Sequence, residues 1–249
     1  MITNDLLQRT FNYFNKHEKD EVVVKPSLPI LYFGDLESYL KSNLKVITVG
    51  KNPSLNEFRL NEKDSYSFVR FVKWDATKKN LTETLNHYFK IDAHPFKQWF
   101  SSFEPILNGL NSSYYEDTKA NIAIHTDICS PLATNPTWSK LTEVKKDLLF
   151  QEGFLIWKQL LEELKPDILL VSIPRTLFNQ VFNTKGKELI VINTKKDGTE
   201  RKSPYKVEIH NYKLESGKKV TVIFGQAANK PFDTISNEQK IKIGKECLK

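Results

Sequence analysis

The sequence predicts an α/β protein: a three-layer α/β/α sandwich around a central four-stranded, mainly parallel sheet, with an extra β-hairpin. Four short runs rich in β-branched residues have the composition of buried strands. They lie at 45–50, 121–126, 167–172 and 220–224. Segments with helical periodicity separate these runs, and strands that alternate with helices are typical of a parallel sheet covered on both faces.

The helices follow from apolar residues that recur at the spacing of helical turns. The expected helical segments are 3–16, 35–42, 95–109, 142–165, one that opens at 174, and 237–247. Pro95 is acceptable in a first helical turn, and Gly109 suits a helix end. Segments 188–193 and 205–214 flank the turn signal Asp197-Gly198, which predicts an antiparallel hairpin. We expect a single domain over 1–249, with this basic hairpin (about 186–215) as an appendage.

Composition excludes several classes of protein. Of the 249 residues 39% are hydrophobic and 12% aromatic, which is enough for a packed core and makes global disorder unexpected. No apolar run is long enough to cross a bilayer, and the N-terminal residues lack the basic and apolar regions of a secretory signal. Two cysteines cannot build a disulfide framework, and the five histidines lack zinc-ligand spacing. We therefore expect a cytoplasmic monomer without a metal or a cofactor.

The net charge of +7 favours a polyanionic partner, although lysine-rich surfaces also serve solubility. Much of the charge lies between Lys185 and Lys219, where tyrosines are interspersed with basic residues. Such a ribbon suits a phosphate backbone, and a solvated hairpin explains it equally well.

The most informative segment is an apolar strand that leads into Gly50-Lys51-Asn52-Pro53-Ser54. Gly50 lets the backbone turn sharply, and Pro53 fixes the next bend. Asn52 is thereby held at the carboxyl end of a strand, the edge at which open α/β sheets bind ligands. Its amide can hold a water or orient a reacting group. The alternative is a plain turn, because Asn and Pro are common in turns.

Distinctive polar side chains follow three of the four predicted strands: Asn52, Asp127, and Gln226 with Asn229. The loops after parallel strands meet at one edge of a sheet. The sequence therefore predicts that these loops build a single pocket.

On these segments the sequence resembles the uracil-DNA glycosylase superfamily. Residues 50–54 are similar to the Gly-x-Asn-Pro-Gly water-binding motif of its mismatch-specific and single-strand-selective branches. Asp127-Ile128-Cys129-Ser130-Pro131-Leu132 resembles the Asn-x-Cys-Pro-Leu segment of the second branch with one extra residue, and 99–107 is similar to the helix before it. The loop after the fourth strand lies where the family has its DNA-intercalating motif. The resemblance extends from about Pro29 to the end of the chain, through short motifs.

The resemblance implies an enzyme that flips a base out of DNA, single- or double-stranded, and hydrolyses its N-glycosidic bond. Asn52 would hold a water under C1′ without ionising, while the sugar develops oxocarbenium character and the departing base takes negative charge. Lys51 is a competing candidate as a Schiff-base nucleophile. Nothing in the sequence marks its pKa as lowered, so a Lys that faces solvent or a phosphate is the plainer interpretation.

The resemblance also supplies candidates for binding. Those for the base are Gly50, Lys51, Pro53, Tyr66, Phe68, His125 and Gln226, and those for DNA are Ser54, Asn229, Lys230 and Phe232. Tyr66 or Phe68 has the family's spacing for the ring that stacks on a flipped base, and Phe58 is a weaker candidate. Each of these rings could instead belong to the core.

Asp127 departs from the family pattern, because many relatives read uracil with an Asn at this position. A carboxylate repels the O4 acceptor of uracil and suits the N4 amino donor of cytosine. Cytosine N3 is an acceptor, so a good fit needs a shared proton, which burial of the carboxyl would help to supply. Together with Asn52 we assign Asp127 to catalysis, and we expect a modified cytosine, such as those of phage DNA. The alternatives are that Asp127 caps a turn or that His125 reads the base.

The loop after the fourth strand is the second departure. Many relatives have His-Pro-Ser there, whereas this chain has Gln226 and Asn229, whose amides stabilise an anion more weakly than an imidazolium does. Lys230 could contact a phosphate, and Phe232 could wedge into the base stack. A plain surface turn is the alternative.

Two other functions remain open for the whole chain. One is a uracil-excising repair glycosylase, and the other is a catalytically inactive DNA-binding protein of the same fold. A nucleotide-binding α/β protein is disfavoured, because no Gly-rich phosphate loop of either common pattern occurs.

Overall fold

The structure is a computed structural model and describes residues 2–59, 68–115, 118–227 and 230–249. The chain divides into two compact units. The first unit is Met1–Glu37, Lys51–Phe96 and Ile124–Leu164, and the second is Ser38–Gly50, Lys97–Ala123 and Lys165–Lys249.

Helices and strands alternate along much of the chain. The helices are α1 (Asn4–His17), α2 (Leu36–Lys41), α3 (Leu81–Asn86), α4 (Lys97–Phe100), α5 (Glu104–Gly109), α6 (Glu143–Leu164), α7 (Arg175–Phe182) and α8 (Asn237–Glu246). The strands are β1 (Val46–Gly50), β2 (Ser112–Ser113), β3 (Asn121–Ile122), β4 (Ile124–Asp127), β5 (Ile168–Val171), β6 (Lys187–Thr194), β7 (Glu200–Lys213) and β8 (Lys219–Gly225). Short 3₁₀ helices cover Leu55–Glu57, Lys78–Asn80, Ile91–Ala93 and Trp138–Lys140.

Most predicted elements lie where the periodicity places them. The strand expected over 121–126 is two strands, β3 and β4, and two helical regions also differ. The helix expected over 95–109 is two short helices, α4 and α5. Pro105 occupies the first turn of α5 and has no N–H with which to continue a helix from α4. The six-residue helix α3 was not predicted.

In the first unit, the amphipathic helix α1 packs against α6, with Leu6 and Phe11 buried. The Tyr13 hydroxyl crosses this interface and donates to the Leu149 carbonyl at 2.8 Å. Strand β4 is buried at every position, and it pairs with Phe33 through His125. These contacts fix the strand that ends at Asp127.

The second unit supplies five neighbouring strands of a six-stranded sheet, in the order β1-β5-β8-β7-β6. Strands β1, β5 and β8 are parallel, whereas β7 and β6 join antiparallel. The prediction of four strands with an appended hairpin is corrected here. Strand β7 pairs with β8 from Val207 opposite Gly225 to Lys213 opposite Lys219, so the hairpin extends the sheet.

Helices α5 and α8 of the second unit approach each other at two glycines. A Cβ on Gly109 would lie 2.3 Å from the Ile241 carbonyl oxygen, and one on Gly244 would lie 2.2 Å from that of Ile106. Such distances leave no room for a side chain, so the absence of Cβ atoms permits this contact.

Within the described part of the chain, no helix combines the length and apolar character that crossing a bilayer requires.

Candidate functional site

The motif loop begins where buried strand β1 ends at Gly50. It continues through Lys51 to Ser54 into the 3₁₀ helix Leu55–Glu57. The Ser54 hydroxyl accepts from the Asn56 N–H at 3.3 Å and caps this helix. The cap sets the direction in which the loop leaves the strand.

Two backbone hydrogen bonds join the motif loop to the loop after β4. The Cys129 N–H donates to the Lys51 carbonyl at 2.7 Å, and the Thr134 N–H donates to the Pro53 carbonyl at 3.1 Å. Both loops belong to the first unit. The segments that carry Asn52 and Asp127 are therefore adjacent, although 75 positions apart in the sequence (127 − 52).

Asn52 is half-buried, and its side-chain nitrogen donates hydrogen bonds to neighbouring residues of the chain. Nδ2 donates to the Pro53 carbonyl at 2.7 Å and to the Thr134 hydroxyl at 2.9 Å, with the Leu132 carbonyl at 3.4 Å. Within the described residues Oδ1 has no donor. The carbonyl end of this side chain is thus the acceptor that the loop leaves available.

Lys51 is half-buried, and its ammonium donates to the Ser139 hydroxyl at 2.5 Å. Burial lowers the pKa of Lys51, and the charge of Lys146 lowers it further, whereas Cys129 and Asp127 act in the opposite direction. The sequence offered no sign of this shift. It keeps the Schiff-base alternative open for Lys51.

Asp127 and His125 lie at the end of β4, with side chains 6% and 1% exposed. Asp127 Oδ1 and His125 Nε2 are 3.6 Å apart. The His125 backbone pairs with Phe33 in both directions, at 2.8 and 3.0 Å, and the two rings lie 5.6 Å apart. His125 is the more enclosed of the two side chains.

Glu57 is a buried acid that the sequence analysis missed. It is 5% exposed, and the Tyr88 hydroxyl donates to its Oε2. The pKa of Glu57 is raised to about 7, mainly by burial and in part by Asp127, against the opposing effects of the Tyr88 hydrogen bond and Arg70. A sequence signal existed, since Ser54 and Glu57 match the pattern of a capping box. That pattern predicts a surface cap, whereas the structure turns the carboxyl inward.

Arg70 fixes the loop that carries Glu57. Its guanidinium donates to the carbonyls of Asn56 at 2.8 Å and Arg59 at 3.2 Å, and to that of His94. Arg70 is 7% exposed, so these bonds are buried. Buried bonds to a charged donor are among the stronger ones, and here they hold the loop rather than the carboxyl.

The predicted stacking rings that the structure describes differ in burial. Phe58 is fully buried between Phe68 and Phe71, with ring centroids 5.6 and 5.3 Å away, and is a core residue. Phe68 is half-buried and has φ +53°, in the left-handed region that bulky residues avoid. Residues in strained backbone conformations cluster at ligand sites, so Phe68 remains a candidate for the ring that stacks on a base. Tyr66 lies outside the described residues.

The candidates after β8 belong to the second unit. Gln226 is exposed and lines a cavity of about 380 Å³. The other lining residues are Arg175, Pro204, Tyr205, Lys206, Ala227, Asp233 and Thr234. Lys230 is exposed, as a phosphate contact requires. Asn229 lies outside the described residues.

Phe232 does not have the exposure that a DNA wedge needs. It is fully buried, and its N–H donates to the Ser172 hydroxyl at 3.0 Å. Its ring fills the space beside Gly225, where a Cβ would lie 2.1 Å from the ring. The structure therefore corrects the wedge prediction, because the ring is part of the core.

Among the described residues, no group of three His, Cys, Asp or Glu side chains is arranged to hold a metal ion. No family model, curated protein or solved structure matches the chain. A function must therefore be argued from the geometry of these residues.

Proposed function

We propose that this protein is a DNA glycosylase that flips a non-standard base out of DNA and hydrolyses its N-glycosidic bond. The observation that supports this most directly is the joining of the motif loop to the loop after β4. Through it an available amide oxygen, on Asn52, and a buried carboxylate, on Asp127, are held by adjacent segments. In the proposed fold, helices cover both faces of the sheet as in the three-layer sandwich, and the enzyme is a cytoplasmic monomer without a cofactor.

Asn52 positions the attacking water in this proposal. Its Nδ2 is fixed by the Pro53 carbonyl and the Thr134 hydroxyl, so Oδ1 has a set direction and accepts a hydrogen bond from water. A neutral amide cannot take the water's proton. The glycosidic bond must therefore be largely broken before water attacks, with the sugar already close to an oxocarbenium ion.

Asp127 selects the base in this proposal. Its carboxylate is an acceptor and pairs with an exocyclic amine, which cytosine-type bases have at C4 and uracil does not. A modified cytosine is the proposed substrate, because excision of ordinary cytosine would damage the cell's own DNA. Removal of modified cytosines from phage DNA would be a defence activity.

DNA is the proposed partner on grounds of charge and exposure. The net charge is +7, and Lys230 and the hairpin residues Lys195 and Lys202 are exposed. Lysines of this kind release counterions from phosphates, which makes binding salt-dependent.

The test is release of bases from defined DNA. Single- and double-stranded oligonucleotides carrying uracil, cytosine or 5-hydroxymethylcytosine are incubated with the protein. Abasic sites are then detected by alkaline cleavage and free bases by mass spectrometry. We expect release of a modified cytosine, and Asn52→Ala should slow it about 10²- to 10³-fold while binding to DNA persists.

The matched control is Asn12→Ala, which changes an exposed Asn of α1 and should leave release unaltered. Salt-dependent DNA binding without abasic sites from any base would reject the enzyme and favour the inactive DNA-binding protein. Release of uracil alone would keep the enzyme class and reject the cytosine preference.

A further inference from the structure

The Glu57 side chain is largely buried, and the described residues give a hydrogen bond to one of its two carboxyl oxygens. Oε2 accepts from the Tyr88 hydroxyl, while Oε1 has no hydrogen bond within the described residues. The residue is 95% buried (100 − 5) and forms no ion pair in the described part of the chain. An ionised carboxylate in such a place is costly, whereas a protonated carboxyl is not.

Burial and the groups around Glu57 set a pKa at which a substantial fraction of the carboxyl holds a proton at neutral pH. Its pKa is raised to about 7, mainly by burial and in part by the negative charge of Asp127. Tyr88 and Arg70 act in the opposite direction, but the Arg70 guanidinium donates to backbone carbonyls rather than to the carboxyl. The Arg70 cation is thus bound to the loop backbone.

Glu57 also lies within the proposed site. It ends the 3₁₀ helix that begins directly after the motif loop, five positions beyond Asn52 (57 − 52). Glu57 and Asp127 both belong to the first unit, and the charge of Asp127 is one of the influences that raise the pKa of Glu57. One of them is available as a proton donor and the other as an acceptor.

Resting on the proposed glycosylase activity, we infer that Glu57 is the proton donor of the site. Its carboxyl supplies a proton to ring nitrogen N3 of a flipped cytosine-type base, while Asp127 accepts from the exocyclic amine. This acid–carboxylate pair matches the acceptor and donor that cytosine presents side by side. Uracil has N3–H and O4 in these positions and fits neither group.

The proton makes the base a better leaving group. The electron pair of the bond between C1′ and N1 moves to N1, and the Glu57 proton moves to N3, so the base departs as a neutral tautomer. Water held by Asn52 then adds to C1′ and gives its extra proton to solvent, from which Glu57 is protonated again. The sum is hydrolysis of the glycosidic bond, with no other reactant.

Protonation of Glu57 can be tested without any activity. The infrared spectrum at about pH 6 should contain the carbonyl stretch of a protonated carboxyl that Glu57→Gln removes. Glu104→Gln is the control, since Glu104 is a half-buried carboxyl that accepts from the Tyr114 N–H at 2.9 Å. A wild-type spectrum without a band that depends on Glu57 overturns the inference, whatever the enzyme does.

The donor role is tested by the pH dependence of single-turnover release of the cytosine-type base. The rate should fall about tenfold per pH unit above about pH 7, because the protonated fraction of Glu57 falls by the same factor. Glu57→Gln should lower the rate about 10²-fold and abolish this fall, whereas Glu104→Gln should alter neither.

Tyr88→Phe separates a donor role from a structural one. The Tyr88 hydroxyl stabilises the ionised carboxylate, so its loss raises the pKa of Glu57 and should move the fall in rate to higher pH. A rate that is independent of pH, or an equal fall in Glu57→Gln, overturns the donor role while leaving the glycosylase intact. No release of any base rejects the glycosylase and with it the donor role, while the infrared band still reports whether Glu57 holds a proton.

Discussion

Glu57 in the first unit and Lys240 in the second are buried to the same extent, each 5% exposed, and their pKa values move in opposite directions. Burial raises the pKa of Glu57 to about 7. Burial, together with the charges of Lys196 and Lys230, lowers the pKa of Lys240 to about 8 against the opposing effect of Asp233. In both cases the loss of water disfavours the charged form.

The comparison teaches that a shifted pKa by itself does not identify a functional group. The Lys240 ammonium donates to the Ser102 carbonyl at 2.9 Å from the body of α8, so it ties a helix to a neighbouring turn. Glu57 ends the 3₁₀ helix that follows the motif loop, and one of its oxygens has no hydrogen-bond partner in the described residues. The location and the unused oxygen distinguish the two residues.

The largest expected effect is a pair of opposite slopes of stability against pH. The stability that Glu57 contributes is complete below about pH 4.5 and is lost as pH rises to about 7, because the folded state retains the proton longer. That of Lys240 is complete above about pH 10.5 and is lost as pH falls to about 8. Each amounts to roughly 3 kcal/mol in the free energy of unfolding, measured by urea denaturation at a series of pH values.

Glu57→Gln should remove the first slope alone, and Lys240→Met the second alone. If either variant changed both slopes, or if the wild-type slopes had the same sign, the comparison between the two units would fail.

Smaller effects on stability are expected when Gly153 of the first unit or Gly244 of the second is replaced. A Cβ on Gly153 would lie 2.5 Å from the Cys129 carbonyl oxygen, and a Cβ on Gly244 would lie 2.2 Å from the Ile106 carbonyl oxygen. Gly153→Ala and Gly244→Ala should each lower the free energy of unfolding by about 2 kcal/mol. Only Gly153→Ala should also slow base release, because Cys129 anchors the Lys51 carbonyl.

The control for the glycine pair is Leu155→Ala on α6, at a position 47% exposed, which should leave both stability and release nearly unaltered. Equal slowing of release by the two glycine variants would show that the activity does not depend on the loop after β4 in particular.

Asp127→Asn sharpens the comparison within the first unit. A carboxamide can donate to O4 of uracil and accept from its N3–H, so the preference should move from the cytosine-type base toward uracil by about tenfold or more. The measurement is the ratio of single-turnover rates on the two oligonucleotides. Asp147→Asn removes an exposed carboxylate and should leave the ratio unchanged. An unaltered ratio in Asp127→Asn itself would assign base selection to another residue.

The smallest effect is expected at the exposed ion pair between Lys206 and Glu188 of the hairpin. Their charged atoms are 2.6 Å apart, with side chains 56% and 52% exposed. Water screens such pairs, so Lys206→Ala should give no measurable shift in the urea midpoint at moderate salt. A clear loss of stability would mean that the hairpin is held by charge more than by its pairing with β8.

Much of the secondary structure could be predicted, since it depends on neighbours in sequence. The apolar runs at 45–50 and 167–172 became β1 and β5, and the turn at Asp197-Gly198 joins β6 to β7. The strand count was less predictable. Whether a hairpin stands alone or extends a sheet depends on whether another strand has an edge with which it can pair. Here β7 pairs with β8, and the sequence of β7 alone does not indicate this pairing.

For the candidate site, the sequence by itself determined the residue types and the ends of the strands that carry them, including Asn52 after β1 and Asp127 at the end of β4. Only the tertiary structure decided which polar atoms are satisfied and which rings are enclosed. Asn52 is hydrogen-bonded to Thr134 and Glu57 to Tyr88, and the Phe232 ring packs into the space beside Gly225. The physical reason is that periodicity and turn chemistry act over a few residues, whereas burial and hydrogen-bond partners come from segments far apart in the chain.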